Sequence, residues 1–166
     1  MKYVQWALVA VLLLVVALFV AGQLGLLRGK APTDLGVREG RLKAPSNRPN
    51  NVSSQAGLWP AQPQAQAAAI APLALLPSGG MATIARLREI LAATPGTVVV
   101  EARGDYLYAQ CSTRWLKFSD DLELWLDPAA GVVQVRSASR LGESDMGVNR
   151  QRVEALRAAL VGGAGR

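Results

Sequence analysis

The sequence predicts an α+β domain, a small antiparallel sheet with helices packed on one face, preceded by one N-terminal transmembrane helix. Three observations lead there. Tyr3 to Leu27 carries no charge and is apolar except for Gln5 and Gln23. Between Thr97 and Ser139, short runs of alternating apolar and polar residues succeed one another across turn-forming residues. Apolar residues at helical spacing recur on both sides of those runs, the pattern of strands joined by short turns with helices stacked against them.

The first element is long enough to cross a hydrocarbon core of roughly 30 Å as a helix, and Tyr3 and Trp6 suit its interface. A cleaved signal has a shorter apolar region, about 7–15 residues, closed by small residues. The best junction here, Val20-Ala21-Gly22 before Gln23, is weak, so residues 3–27 read as an uncleaved anchor. Residues 28–80 are basic at first and then rich in proline, alanine and glutamine. Pro45, Pro49, Pro60, Pro63, Pro72 and Pro77 forbid a long helix, and the segment is expected to run extended, part tether and part packed on the domain.

Residues 81–161 are expected to form the α+β domain, with 162–166 a flexible tail. Ile84, Leu87 and Leu91 mark a helix that Pro95-Gly96 ends. "TVVVEAR" reads as a strand turning at Gly104-Asp105. "YLYAQCST" comes next, with Leu107, Ala109 and Cys111 inward and Tyr106, Tyr108 and Gln110 outward. In "FSDDLELWLDP", Leu122, Leu124 and Leu126 share one face, and Glu123 and Trp125 the other. "VVQVRSAS" then places Val133 and Val135 inward and Gln134 and Arg136 outward. Val153, Leu156 and Leu160 give a closing amphipathic helix.

The net charge of +6 is unevenly placed. Residues 28–48 hold six basic groups against two acidic ones, whereas residues 49–166 hold eleven against ten. The excess therefore lies beside the membrane, where it can meet anionic headgroups. A nucleic-acid partner is not expected, since that would put a basic stripe on the folded domain. The same charges favour a cytoplasmic domain by the positive-inside rule, while a short N-terminal tail before an apolar run commonly directs export of the C-terminal domain. The two topology arguments conflict.

Histidine is absent and Cys111 is the sole cysteine, which removes Ser-His-Asp triads, Cys-His pairs, internal disulfides and most zinc sites. No cofactor and no resident metal is expected. Ser112, Ser119, Ser137 and Ser139 lack an activating partner, Lys117 being the one lysine of the folded part.

The densest polar stretch is "RSASRLGESDMGVNRQRVEALR", residues 136–157. Ser144 or Asp145 can cap the last helix by accepting from its free amides, and Gly147 beside it lets the backbone come close to another group. Arginine is unfavourable at a helix N-terminus, so Arg150 and Arg152 there call for an anion nearby. Arg136, Ser137, Ser139, Arg140, Asp145, Asn149, Arg150 and Arg152, with Asp120 and Asp121, are the candidate ligand-binding residues. Either Asp120 and Asp121 neutralise the arginines internally, or an external carboxylate, phosphate or lipid headgroup does. Asp120-Asp121 could also serve acid–base work or a divalent metal. Neighbours on a strand face opposite ways, so one capping a turn and one paired with arginine is the expected outcome.

Six segments together resemble the bacterial and plastid family grouped as domain of unknown function 1499. They are "LGVREGRL" (35–42), "PNNVSSQA" (49–56), "IAPL" (70–73), "DYLYAQCST" (105–113), "FSDDLELWL" (118–126) and the 136–157 stretch, over roughly residues 31–161. The resemblance implies a small domain behind a membrane or export segment, which turns the topology expectation towards an inner-membrane, single-pass chain with a periplasmic domain. It also implies that residues 49–56 belong with the domain. Relatives carry cysteine where this chain has Asn51, so no thiol role is carried over.

Three functions are compatible with these features. The first is a membrane-tethered accessory domain without catalysis, binding an anionic small ligand, lipid headgroup or acidic partner. The second is a metal-assisted enzyme using Asp120 or Asp121. The third is a purely structural envelope protein whose Trp59, Tyr106, Trp115 and Trp125 dock another component.

Overall fold

A computed structural model describes residues 1–162; of the expected tail, Gly162 belongs to the closing helix and residues 163–166 lie outside the described residues. The chain opens with helix α1 (Lys2–Gln23). Strand β1 (Asn51–Ser53), a short helix α2 (Ala65–Ala68) and strand β2 (Leu73–Ala74) come next. Helix α3 (Gly80–Ala93) leads into a meander of β3 (Thr97–Arg103), β4 (Tyr106–Ser112), β5 (Ser119–Asp127) and β6 (Val132–Ser139). Helix α4 (Val148–Gly162) closes the chain.

The strands form one six-stranded sheet in the order β1-β6-β5-β4-β3, with β2 also on β6. Every pairing is antiparallel. β6 has β5 on one side, while its other side is shared end to end by β1 at Arg136–Ala138 and β2 at Val132–Val133. The sheet thus takes in two strands from the proline-rich stretch before Met81. Pro49 and Pro72 stand just outside them, where a missing amide breaks no ladder bond.

Both long helices of the domain lie on one face. Ile84, Leu87 and Leu91 of α3 and Val153, Leu156 and Leu160 of α4 bury against Leu107, Ala109, Cys111, Leu122, Leu124, Val133 and Val135. These are the positions that period-2 and helical spacing select. Helix α3 leaves through Pro95 and Gly96, where a tight turn enters β3. Gly96 has φ +77°, and a Cβ there would lie 2.6 Å from the Ser112 carbonyl oxygen, so only glycine fits.

The opposite face of the sheet is covered too. Tyr106, Tyr108 and Trp125 pack there against Leu42, with Leu35 and Val37 beside them. Residues 35–44 therefore form a thin second layer in place of a third helix. Tyr106, expected among the exposed aromatics, is 4 % exposed for this reason, whereas Trp115 is 62 % exposed.

Candidate functional site

A two-sided sheet divides the charged residues by parity. On the helix-bearing face, Asn149 is a hub with no exposed surface. Its Oδ1 accepts from Ser137 Oγ (2.6 Å) and Arg152 Nη1 (2.5 Å). Its Nδ2 donates to the Asn50 carbonyl (3.0 Å), Ser139 Oγ (2.9 Å) and Asp145 Oδ2 (2.8 Å). Arg152 also donates to Ser137 Oγ (2.9 Å) and, through Nη2, to Asp120 Oδ2 (2.5 Å). The network ties α4 to the end of β6 and, through Asn50, to the start of β1.

On the other face two buried ion pairs lie side by side. Glu123, fully buried, accepts at Oε1 from the Tyr106 hydroxyl (2.9 Å) and the Gly36 amide (2.8 Å), and at Oε2 from Arg136 Nη1 (3.2 Å). Asp121 takes a forked pair from Arg140, Nε to Oδ2 (3.0 Å) and Nη2 to Oδ1 (2.8 Å), and accepts the Tyr108 hydroxyl at 2.6 Å. Burial pushes the pKa of both phenols up, and the carboxylate each one faces adds to it, so both stay neutral donors. The Asp121 bond holds the Arg140 guanidinium still more firmly protonated.

Two expectations are corrected. Asp120 and Asp121 do face opposite sides, but neither caps a turn: each pairs with its own arginine, Arg152 and Arg140. The four arginines do not share one concave site, because Arg136 and Arg140 belong to one face and Arg152 to the other. Arg150 turns away from both, donating to the carbonyls of Ala67 and Ala69 at 2.9 Å. The helix cap is Asp145, whose carboxylate accepts from the amides of Gly147 (3.0 Å) and Asn149 (2.8 Å). Gly147 meets a backbone requirement, φ +81°, rather than a close approach, since a Cβ there would be 4.0 Å from its nearest neighbour.

Three concavities include sequence-predicted residues: one beside Arg152, a small one beside Asp145 and Arg150, and a cleft of about 450 Å³ beside Arg136 and Arg140, which gathers the most of them. Lys30, Lys43, Asp121 and Ser139 also line it. Lys43 is engaged by Asp34 at 2.6 Å, and that bond holds the Asp34 carboxyl below its usual value. Among the described residues Lys30 has no carboxylate within 4 Å, and the buried Nε of Arg136 has no acceptor. The cleft thus keeps donors to spare, although three of its four cations already have a carboxylate.

Tyr108, Glu123, Lys30 and Lys43 do not stand out as site residues in the sequence, and Tyr106 does so only as a docking aromatic. The signal that could have found Glu123 is its place: a glutamate amid "DLELW", on a central strand with a partner on either side. Cys111 is buried, and burial raises its thiol pKa, which makes it an inert core residue.

The arrangement defines a small α+β domain with arginine–carboxylate pairs on both faces of an antiparallel sheet, carried behind a helix long and apolar enough to cross a membrane. The chain belongs to the family described as protein of unknown function (DUF1499), whose pattern it matches over residues 41–160. No curated protein and no solved structure matches it.

Proposed function

We propose that this chain is a single-pass inner-membrane accessory protein whose periplasmic domain recognises an anionic group in the cleft lined by Lys30, Lys43, Arg136 and Arg140. The observation that carries the reading is the unspent donor capacity there. Arg136, 4 % exposed, makes one hydrogen bond to Glu123, while among the described residues Lys30 lines the cleft with no carboxylate within 4 Å. An anionic oxygen in the cleft can take a charge-assisted hydrogen bond from Lys30 and sits in the field of the two guanidinium groups that line it.

The cleft has room for a headgroup-sized ligand. Its position supports the same reading: Gly29, a few residues past the end of α1, packs on Arg140, which lines the cleft. Nearly balanced charge in the cleft suits a single anionic group rather than a polyanion, which also sets nucleic acid aside. Catalysis by Asp120 or Asp121 is not favoured, because both carboxylates are engaged by arginine on opposite faces.

Titration of inorganic phosphate and of short-chain phosphatidylglycerol into the detergent-solubilised full chain tests this. Saturable binding of at least one is expected, weakened by salt. Lys30→Glu should weaken it about tenfold, the scale of one charge-assisted hydrogen bond, without moving the Tm. Absence of binding to both probes, or a Lys30→Glu variant that binds equally well, removes the proposal.

A further inference from the structure

The end of α1 does not hang free of the domain. Gly22 is its one buried residue, lying against the loop that joins β4 to β5. A Cβ at Gly22 would fall 2.6 Å from the Leu116 carbonyl oxygen and 2.9 Å from its Cα, so the helix backbone rests directly on the loop backbone. Gln23 Nε2 donates to the Trp115 carbonyl at 2.9 Å. A little further along the chain, Gly29 touches Arg140 Cβ and Leu141 Cγ, where a Cβ would come within 2.8 and 3.0 Å.

Helix length then fixes a depth. Twenty-two residues rise about 33 Å, close to the roughly 30 Å of a hydrocarbon core. Gln23 therefore emerges at headgroup level, and the loop it touches is brought to the same level. That loop has the composition of a membrane-surface contact. Trp115 is 62 % exposed with the Arg114 guanidinium 4.9 Å over its ring, and Lys117 stands two residues on. Leu24 and Leu26, just past Gln23, are exposed, as is Leu141 against Gly29. Among the described residues, none of Arg28, Lys30, Arg114 and Lys117 has a carboxylate within 4 Å. The loop is also pre-shaped: the Thr113 amide donates to the Phe118 carbonyl (2.9 Å), and the Phe118 amide to Thr113 Oγ1 (3.0 Å).

We infer that the Thr113–Phe118 loop is a second membrane contact, with Trp115 seated among the headgroups and Arg114, Lys117, Arg28 and Lys30 drawn to anionic lipid. Tryptophan favours that depth because its ring is apolar and its N–H is polar, and juxtamembrane cations add attraction to an anionic leaflet. The domain is then held against the bilayer in one orientation instead of swinging on a tether. The inference rests on the membrane-anchor reading, and the experiment separates the two.

The full chain, carrying Cys111→Ala, is reconstituted in vesicles of phosphatidylcholine with phosphatidylglycerol. Spin labels are placed singly through Leu12→Cys, Trp115→Cys and Ala130→Cys, the last in the turn at the far end of β5. Collision with oxygen reports lipid, and collision with a water-soluble nickel chelate reports solvent. The expected order of nickel access is position 130 above 115 above 12, with 115 several-fold below 130. Omitting phosphatidylglycerol should raise access at 115. If 115 matches 130 while 12 lies in lipid, the loop contact is wrong and the anchor stands. If 12 lies in water, the anchor reading fails and this inference falls with it. If omitting phosphatidylglycerol changes nothing at 115, the role given to the four cations is overturned.

Discussion

Arg136 shows how one side chain can be read correctly in sequence and still mislead. Alternation along β6 put it on the face away from Val133 and Val135, which is where it lies. That face is not solvent, however, because Leu42 and its neighbours cover it, and the guanidinium is paired with Glu123. Period-2 patterning tells which residues share a face but not what covers it. The covering stretch advertised itself with only Leu35, Val37 and Leu42 among glycines and charges. Buried pairs of this kind are asymmetric in energy: losing one partner costs far more than losing both. Arg136→Met should therefore destabilise the domain by about 3–5 kcal/mol, since Glu123 keeps its burial without a countercharge. Adding Glu123→Gln should restore a large part of the loss. Thermal unfolding followed by near-ultraviolet circular dichroism measures both, and a double variant as unstable as the single one contradicts the account.

Among the elements, α3, α4 and the four meander strands were legible because each combines a strong period with a clear stop. β1 and β2 were not. Three and two residues long, they are too short to show a period, and their pairing with β6 is a tertiary fact. At α4 the sequence left Ser144 and Asp145 as alternatives. The choice falls on Asp145 because its carboxylate reaches two free amides, while Ser144 Oγ reaches only the amide of Met146, at 3.3 Å. Burial alone would push the Asp145 carboxyl up, but the donors from Asn149 and Gly147 outweigh it, and the net shift is downwards. A depressed folded-state pKa means that the unfolded chain binds the proton more readily. The cap's contribution is then complete above the unfolded value of about 4 and is lost as pH falls through the lower folded value. Asp145→Ala should cost about 1 kcal/mol near neutrality. Its Tm deficit against the parent should shrink between about pH 5 and pH 3, a trend that a purely steric role would not produce.

At the scale of the whole molecule, the folding unit begins well before Met81. Leu42 is buried, Asn50 supplies the carbonyl that Asn149 grips, and β1 and β2 complete the outer edge of β6. A chain starting at Lys30 should melt cooperatively, whereas one starting at Met81 should lose the cooperative transition, having stripped one edge and uncovered the Arg136–Glu123 and Arg140–Asp121 pairs. A sharp melt from the shorter chain would show that the early strands are ornamental. The order of the strands also bears on how the protein is made. Val52 finds its neighbour in Ser137, and Leu73 in Val133, so the first strands to leave the ribosome pair with the last. Contacts this distant along the chain are slow to form, and during synthesis they cannot form until the C-terminal third exists. While translation continues, the early segment waits as an unpaired ribbon, and its many prolines and few large apolar residues keep that nascent stretch a poor nucleus for self-association.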